Sequence, residues 1–221
     1  MEGVVGGLRE LKKERTRQVL SETAVELFLE KGFDAVSVAE IAAAAEVSKP
    51  TLFRYFPAKE DLVLHRFADH EDEPARVVAA AREAGVPPLD ALRDHVLAGL
   101  ERRDPVTGLN DAPAVLAFLR LLYGTPALVA RMHAYQRRSE ELLADALGDA
   151  LGGGDALGGG DPLAARLAAA QVVAVLRVLA EDNARRISAG ERVEDVLPGA
   201  VAATRLAFRR LAEGLAVPPA M

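Results

Sequence analysis

The chain has 221 residues, half hydrophobic, 27% charged and only 5% aromatic, a composition that supports a sizeable core and excludes a disordered or fibrous protein. A formal net charge of -6 excludes indiscriminate nucleic-acid binding through bulk charge, though not a local basic face. The absence of cysteine excludes disulfides, thiolate metal sites and cysteine nucleophiles.

Apolar residues recur at three- and four-residue spacing through an alanine-rich chain, so the expected fold class is all-α. The opening MEGVVGGLRE lacks the regions of a secretory signal. The densest apolar run, 167–176, is interrupted by Gln171 and falls short of the ~20 residues a membrane span needs. The expected location is cytoplasmic, with no membrane partner.

In chain order, a first helix is expected over about 10–31, striped by Leu20, Ala24, Leu27 and Phe28 and ended by Gly32. Ser37 opens a short second helix, with Glu40 completing a capping box and Val38, Ile41, Ala42 and Ala45 on its buried face. Ser48 caps a third, with Pro50 in the first turn and Leu52 and Phe56 as a core pair. Pro57 closes it, and Lys59-Glu60-Asp61 starts a fourth through Leu62, Val63 and Phe67. Pro87-Pro88 then precedes a helix to about 103, striped by Leu89, Leu92, Val96 and Leu100; 104–113 reads as a loop, and helices follow over 114–123 and 126–147. DALGGGDALGGGD repeats a six-residue unit and predicts a flexible linker over 148–161. Pro162 starts a long helix to about 189, and a last one spans 193–215 with a wide apolar face. The expected domains are 1–57, an N-terminal arm with the first three helices, and 58–221, a longer helical bundle whose role is implied only by a family resemblance.

Two short helices joined by a tight turn, the second polar, have the geometry of a DNA-reading helix-turn-helix. Ser48, Lys49, Thr51, Arg54 and Tyr55 can meet base edges or phosphates while Leu52 and Phe56 face inward. Residues 9–17 hold five cations against Glu10 and Glu14, an arm able to reach flanking phosphates, and Arg15 and Arg17 are its DNA-facing candidates. By spacing alone, the same stretches also fit a solvated helical face and a frayed terminus.

GFDAVSVAEIAAAAEVSKPTLFRYFPAKEDL resembles the N-terminal domain of the TetR family of transcriptional repressors. The likeness covers about 16–62, including Leu27-Phe28, Gly32-Phe33, Val47-Ser48, Thr51-Leu52, Tyr55-Phe56 and Lys59-Glu60-Asp61-Leu62. The resemblance implies an all-helical homodimer that binds a palindromic double-stranded DNA operator and is released by a small-molecule effector. By position, Ser37 would meet a phosphate, Lys49, Pro50, Thr51 and Arg54 would face bases and backbone, and Tyr55 and Lys59 would grip phosphates. Phe53 stands where the family commonly has tyrosine, which removes a hydroxyl but keeps an apolar contact to a thymine methyl. Glu46 stands where the family usually has glycine, and Ala58 lacks the usual capping side chain. The alternative is an architectural or interaction DNA-binding protein without an effector.

Effector candidates are the polar and aromatic residues within apolar stripes: His95, Phe118, Tyr123, Met132, Tyr135, Arg177 and Asn183. Arg177 is the first choice as polar anchor, with Glu181 four residues on as its competing partner. Apolar residues encircle 172–179, so that helix needs burial on more than one side; the expected dimer interface uses Val172, Val175, Leu179, Val201, Thr204 and Phe208. His65 and Asp69 share a helical face but lack a third ligand, so no metal is expected. The GGG stretches follow no strand and precede no lysine, so they form no phosphate loop. No catalytic order of serine, histidine and acid is recognisable. Neither an enzyme nor a cofactor is expected.

Overall fold

The computed structural model describes residues 3–68, 70–151 and 161–215, and among them there is no strand. The helices are α1 (Gly3–Lys31), α2 (Val38–Ala44), α3 (Lys49–Tyr55), α4 (Asp61–Ala68), α5 (Glu73–Ala84), α6 (Pro88–Glu101), α7 (Pro113–Gly124), α8 (Pro126–Leu151), α9 (Pro162–Ser188) and α10 (Val193–Leu215). The glycine-rich linker expected over 148–161 falls mainly on 152–160, outside the described residues.

Three local expectations change. The basic stretch 9–17 lies within α1 and is not an arm preceding it, because its alternating Glu, Lys and Arg residues are good helix formers. Helix α5 was not anticipated: its alanine-rich face gives little contrast, although Pro74 opens it and left-handed Gly85 closes it, both ordinary helix punctuation. Helix α9 is, by length and composition, apolar enough to cross a bilayer, contrary to the run-length expectation; the core helix of a soluble protein meets the same test.

The chain forms two compact units, Met1–Phe67 with Ala117–His133, and Ala68–Leu116 with Ala134–Met221. In the first, Leu20, Phe28, Ile41, Leu52, Phe56 and Leu62 make a small core, the i,i+4 stripes of α1 to α4 closing on one another. The Ser21 hydroxyl donates to the Leu62 carbonyl at 2.7 Å. Buried Asp61 accepts from the Ala58 N–H at 3.1 Å and takes both arms of the Arg131 guanidinium, at 2.7 and 3.1 Å. This fork ties the start of α4 to α8.

The second unit has two apolar clusters. Val78, Leu92, Leu143, Val172, Phe208 and Leu211 centre one. Leu100, Leu109, Ile187, Val193 and Val196 centre the other. A short 3-10 turn, Pro105–Thr107, lies against α9 because Gly108 has no side chain. A Cβ there would sit 2.0 Å from the Ala180 carbonyl oxygen, and its φ of +72° already favours glycine.

Candidate DNA-binding interface and bundle cavity

Ser37 and Ser48 set the two short helices. The Ser37 hydroxyl accepts from the Glu40 N–H at 3.1 Å, and the Ser48 hydroxyl accepts from the Thr51 N–H at 3.2 Å. Between them, the Val47 N–H reaches the Ala42 carbonyl at 2.9 Å and the Glu46 N–H reaches Ala43 at 3.1 Å. That pairing closes α2 in a Schellman turn and places Glu46 in the left-handed region, with φ 55°. The turn aims α3 outward from Leu52, which is 0% exposed, and from buried Phe56.

On the other side of α3, Ser48, Lys49, Pro50, Phe53 and Arg54 are exposed, with Thr51 and Tyr55 half-buried at its edges. The Lys49 ammonium lies 5.9 Å from the Phe53 ring centre, and the Arg54 guanidinium 5.4 Å from that of Tyr55. The Thr51 and Ser48 hydroxyls are 2.8 Å apart, so each already has a partner. Ser37 is exposed at the start of α2. Arg15 is exposed on α1; Arg17 is half-buried, and its Nε is buried without a hydrogen-bond partner. The face combines short donors, a planar cation and an apolar ring, all of which can address groove edges.

Lys59 is the exception. Its ammonium donates to the Phe33 carbonyl and lies 4.3 and 5.2 Å from the Phe33 and Phe28 ring centres. It clamps the loop after α1, so its charge is directed inward and not toward a phosphate. His65 lies 3.3 Å from Glu14, and its suggested companion Asp69 is outside the described residues.

The second unit holds a cavity of about 120 Å³, walled by α5, α6, the 104–109 loop, α9 and α10. Of the effector candidates, His95 and Asn183 line it. Phe118, Tyr123 and Met132 belong to the other unit, where Phe118 stacks on Phe67 at 6.1 Å. Tyr135 and Arg177 are absent from the lining; Arg177 instead pairs with Glu181 at 2.9 Å, the competing partner its spacing allowed. Leu179 and Thr204, expected in a dimer interface, line the cavity. Val172 and Phe208 are buried in their own core, and Val175 and Val201, partly buried, pack against the same two clusters, so these side chains face their own chain first.

Sequence reasoning missed the polar corner of this cavity. Glu73 accepts from His70 Nδ1 at 2.9 Å and sits 3.2 Å from His95 Nε2. The His70 and then the His95 hydrogen bond hold its carboxyl far below the usual carboxylate range, against the opposing effect of burial. His70 and Glu73 precede and open the unanticipated α5; once that helix is recognised, their i,i+3 spacing becomes the available signal. Nothing local marks the pairing of Thr107 with Asn183 or of Asp61 with Arg131, whose members are remote in sequence.

Residues 20–65 match the family described as bacterial regulatory proteins, tetR family. The HTH-type transcriptional regulator TcmR of Streptomyces glaucescens is 39% identical over 137 residues, 62% of this chain and 59% of that protein. Two further curated relatives are matched over 28% and 45% of their lengths, so the chain spans less than two thirds of each of these relatives. Among solved structures, a TetR-family regulator from Mesorhizobium loti matches with a TM-score of 0.52 and 18% identity, over 90% of this chain and 97% of that one. NalD of Pseudomonas aeruginosa, a repressor of a multidrug efflux pump, matches with a TM-score of 0.52 and 19% identity, over 89% of this chain and 96% of its own. These two likenesses establish the fold, and the family match identifies residues 20–65 as a helix-turn-helix domain of the kind found in tetR-family bacterial regulatory proteins.

Proposed function

We propose that the chain is a homodimeric repressor that binds a near-palindromic operator through two copies of α3 and is released when a small molecule enters the bundle cavity. The observation that carries the DNA reading is the outward face of α3: Lys49, Phe53 and Arg54 stand exposed on a helix held from behind by Leu52 and Phe56. Ser37, Ser48, Pro50, Thr51, Tyr55, Arg15 and Arg17 complete the proposed contact set. Lys59 acts behind it as a support.

For the dimer, the support is an exposed apolar stripe. Leu163, Leu167 and Val178 on α9 and Leu206 on α10 are 58, 54, 53 and 38% exposed. The α9 members recur at helical spacing on the side of that helix away from its core, a surface that favours burial against a partner. The test is a mobility-shift titration of the protein's own upstream DNA with and without candidate effectors, beside a promoter-reporter assay. Specific, salt-sensitive binding to a near-palindrome and derepression by a ligand are expected. Absence of preference over random duplex overturns the reading.

A further inference from the structure

The cavity's polar lining is rich in hydrogen-bond acceptors. Asn183 is 6% exposed, and its Nδ2 donates to the Thr107 carbonyl at 2.9 Å. Thr204 is 1% exposed, and its hydroxyl donates to the Ala200 carbonyl at 2.9 Å. The Thr107 hydroxyl donates to the Asp104 carbonyl at 2.7 Å. Both threonine hydroxyl protons and one Asn183 N–H are thus committed to backbone oxygens, which leaves lone pairs on the three side-chain oxygens and the second Asn183 N–H. Glu73 and Asp104 add carboxylates, which as ions only accept. The His95 ring, in the tautomer that donates Nε2–H to Glu73, has an acceptor at Nδ1. The rest of the wall is apolar, chiefly Leu92, Val96, Leu100, Leu176, Leu179 and Ala180.

A buried site in which acceptors outnumber donors, with a carboxylate among them, discriminates by chemistry. A ligand carrying N–H or O–H groups satisfies the acceptors. A carboxylate or phosphate would bring like charge and more acceptors beside Glu73, and would exchange its hydration for few donors. The size is also limited: at about 120 Å³ the cavity is smaller than the one of about 150 Å³ that holds benzene in another protein, so the apolar body is no larger than a single ring. Building on the effector reading above, we infer that this cavity takes a small hydrogen-bond donor, an amine on an apolar body of single-ring size, and rejects anions. The amino group would lie among Glu73, Asn183 and Thr204, with the ring against Leu92, Val96 and Leu179.

The test is a matched series, benzylamine, benzyl alcohol and benzoate, titrated into the full-length protein by calorimetry and followed by thermal shift. Benzylamine and then benzyl alcohol should bind, with benzoate weaker by at least about tenfold. Val96→Phe, which fills the cavity, should abolish the benzylamine signal. Leu179→Phe does the same from the opposite wall, should the first variant fail to fold. Benzoate binding as tightly as benzylamine, no binding of either donor up to its solubility, or undiminished binding to both folded filled variants would each overturn the assignment. Operator release is read separately. If benzylamine binds the cavity without releasing the operator, the effector reading fails and the ligand class stands; if an anion competes for the cavity and releases the operator, the class fails and the effector reading stands.

Discussion

Arg54 and Lys59 are both cations close to the proposed DNA face, and their surroundings give them different work. Arg54 is exposed over Tyr55, whereas Lys59 is half-buried and bonded to the Phe33 carbonyl. Arg54→Ala and Thr51→Ala should each weaken or broaden operator choice by about 1–3 kcal/mol where the side chain reads a base, measured by titration of operator variants. Lys59→Ala should lower the melting temperature and leave the salt slope of operator binding unchanged; a slope flattened by about one unit would make Lys59 a phosphate contact after all. At the cavity, Glu73 has a folded pKa depressed below its ordinary 4.5. Its contribution to stability is therefore complete above about pH 4.5 and is lost as pH falls from there through the lower folded value. Thermal melts taken downward from pH 5 should show wild type losing stability more steeply than Glu73→Gln, and parallel curves would refute the linkage. Arg54 could be singled out by its position in a short capped helix. Glu73 could not until α5 was recognised, since its i,i+3 partner His70 lies just ahead of that helix and His95 lies on α6.

At the scale of elements, the turn between α2 and α3 shows local chemistry working against itself. The same Schellman closure ends α5 at Gly85 and α9 at Gly190, where positive φ is free of strain. In α2 the position is held by Glu46, and in α6 by Arg103, at φ 55° and 54°. Glu46→Gly should stabilise the protein by about 1 kcal/mol, which for a chain of this size is a rise of about 2–4 °C in melting temperature. It should also tighten operator binding by removing a carboxylate near the phosphates. An unchanged melting point and affinity would mean that the Glu46 side chain repays its strain elsewhere. The strain could be anticipated from the residues because a helix-turn-helix turn is set within a few positions. The 104–109 loop lacked any such signal, since the need for glycine at 108 arises from Ala180, far along the chain.

For the whole molecule, burial decides which apolar residues remain for a partner. Leu167→Glu or Val178→Glu should yield a folded monomer that no longer binds the operator, since two half-sites about 34 Å apart require two joined subunits. Phe208→Glu should lower stability first, because a charge would enter a filled core. Light scattering with chromatography, beside circular dichroism, separates the two; a Val178→Glu dimer would move the interface off α9. By itself, the sequence determined that the protein is helical, where most helices begin and end, and that residues 37–56 form a helix-turn-helix pair. Caps, glycine stops and i,i+4 pairs act over a few residues and are therefore written locally. Only the tertiary structure decided that Lys59 turns inward, that Thr204 and Leu179 face a cavity, and that Leu163, Leu167 and Val178 are the uncovered side of α9. A helix apolar all round carries no mark of which face its neighbours cover, and that choice is made by contacts between segments far apart in the chain.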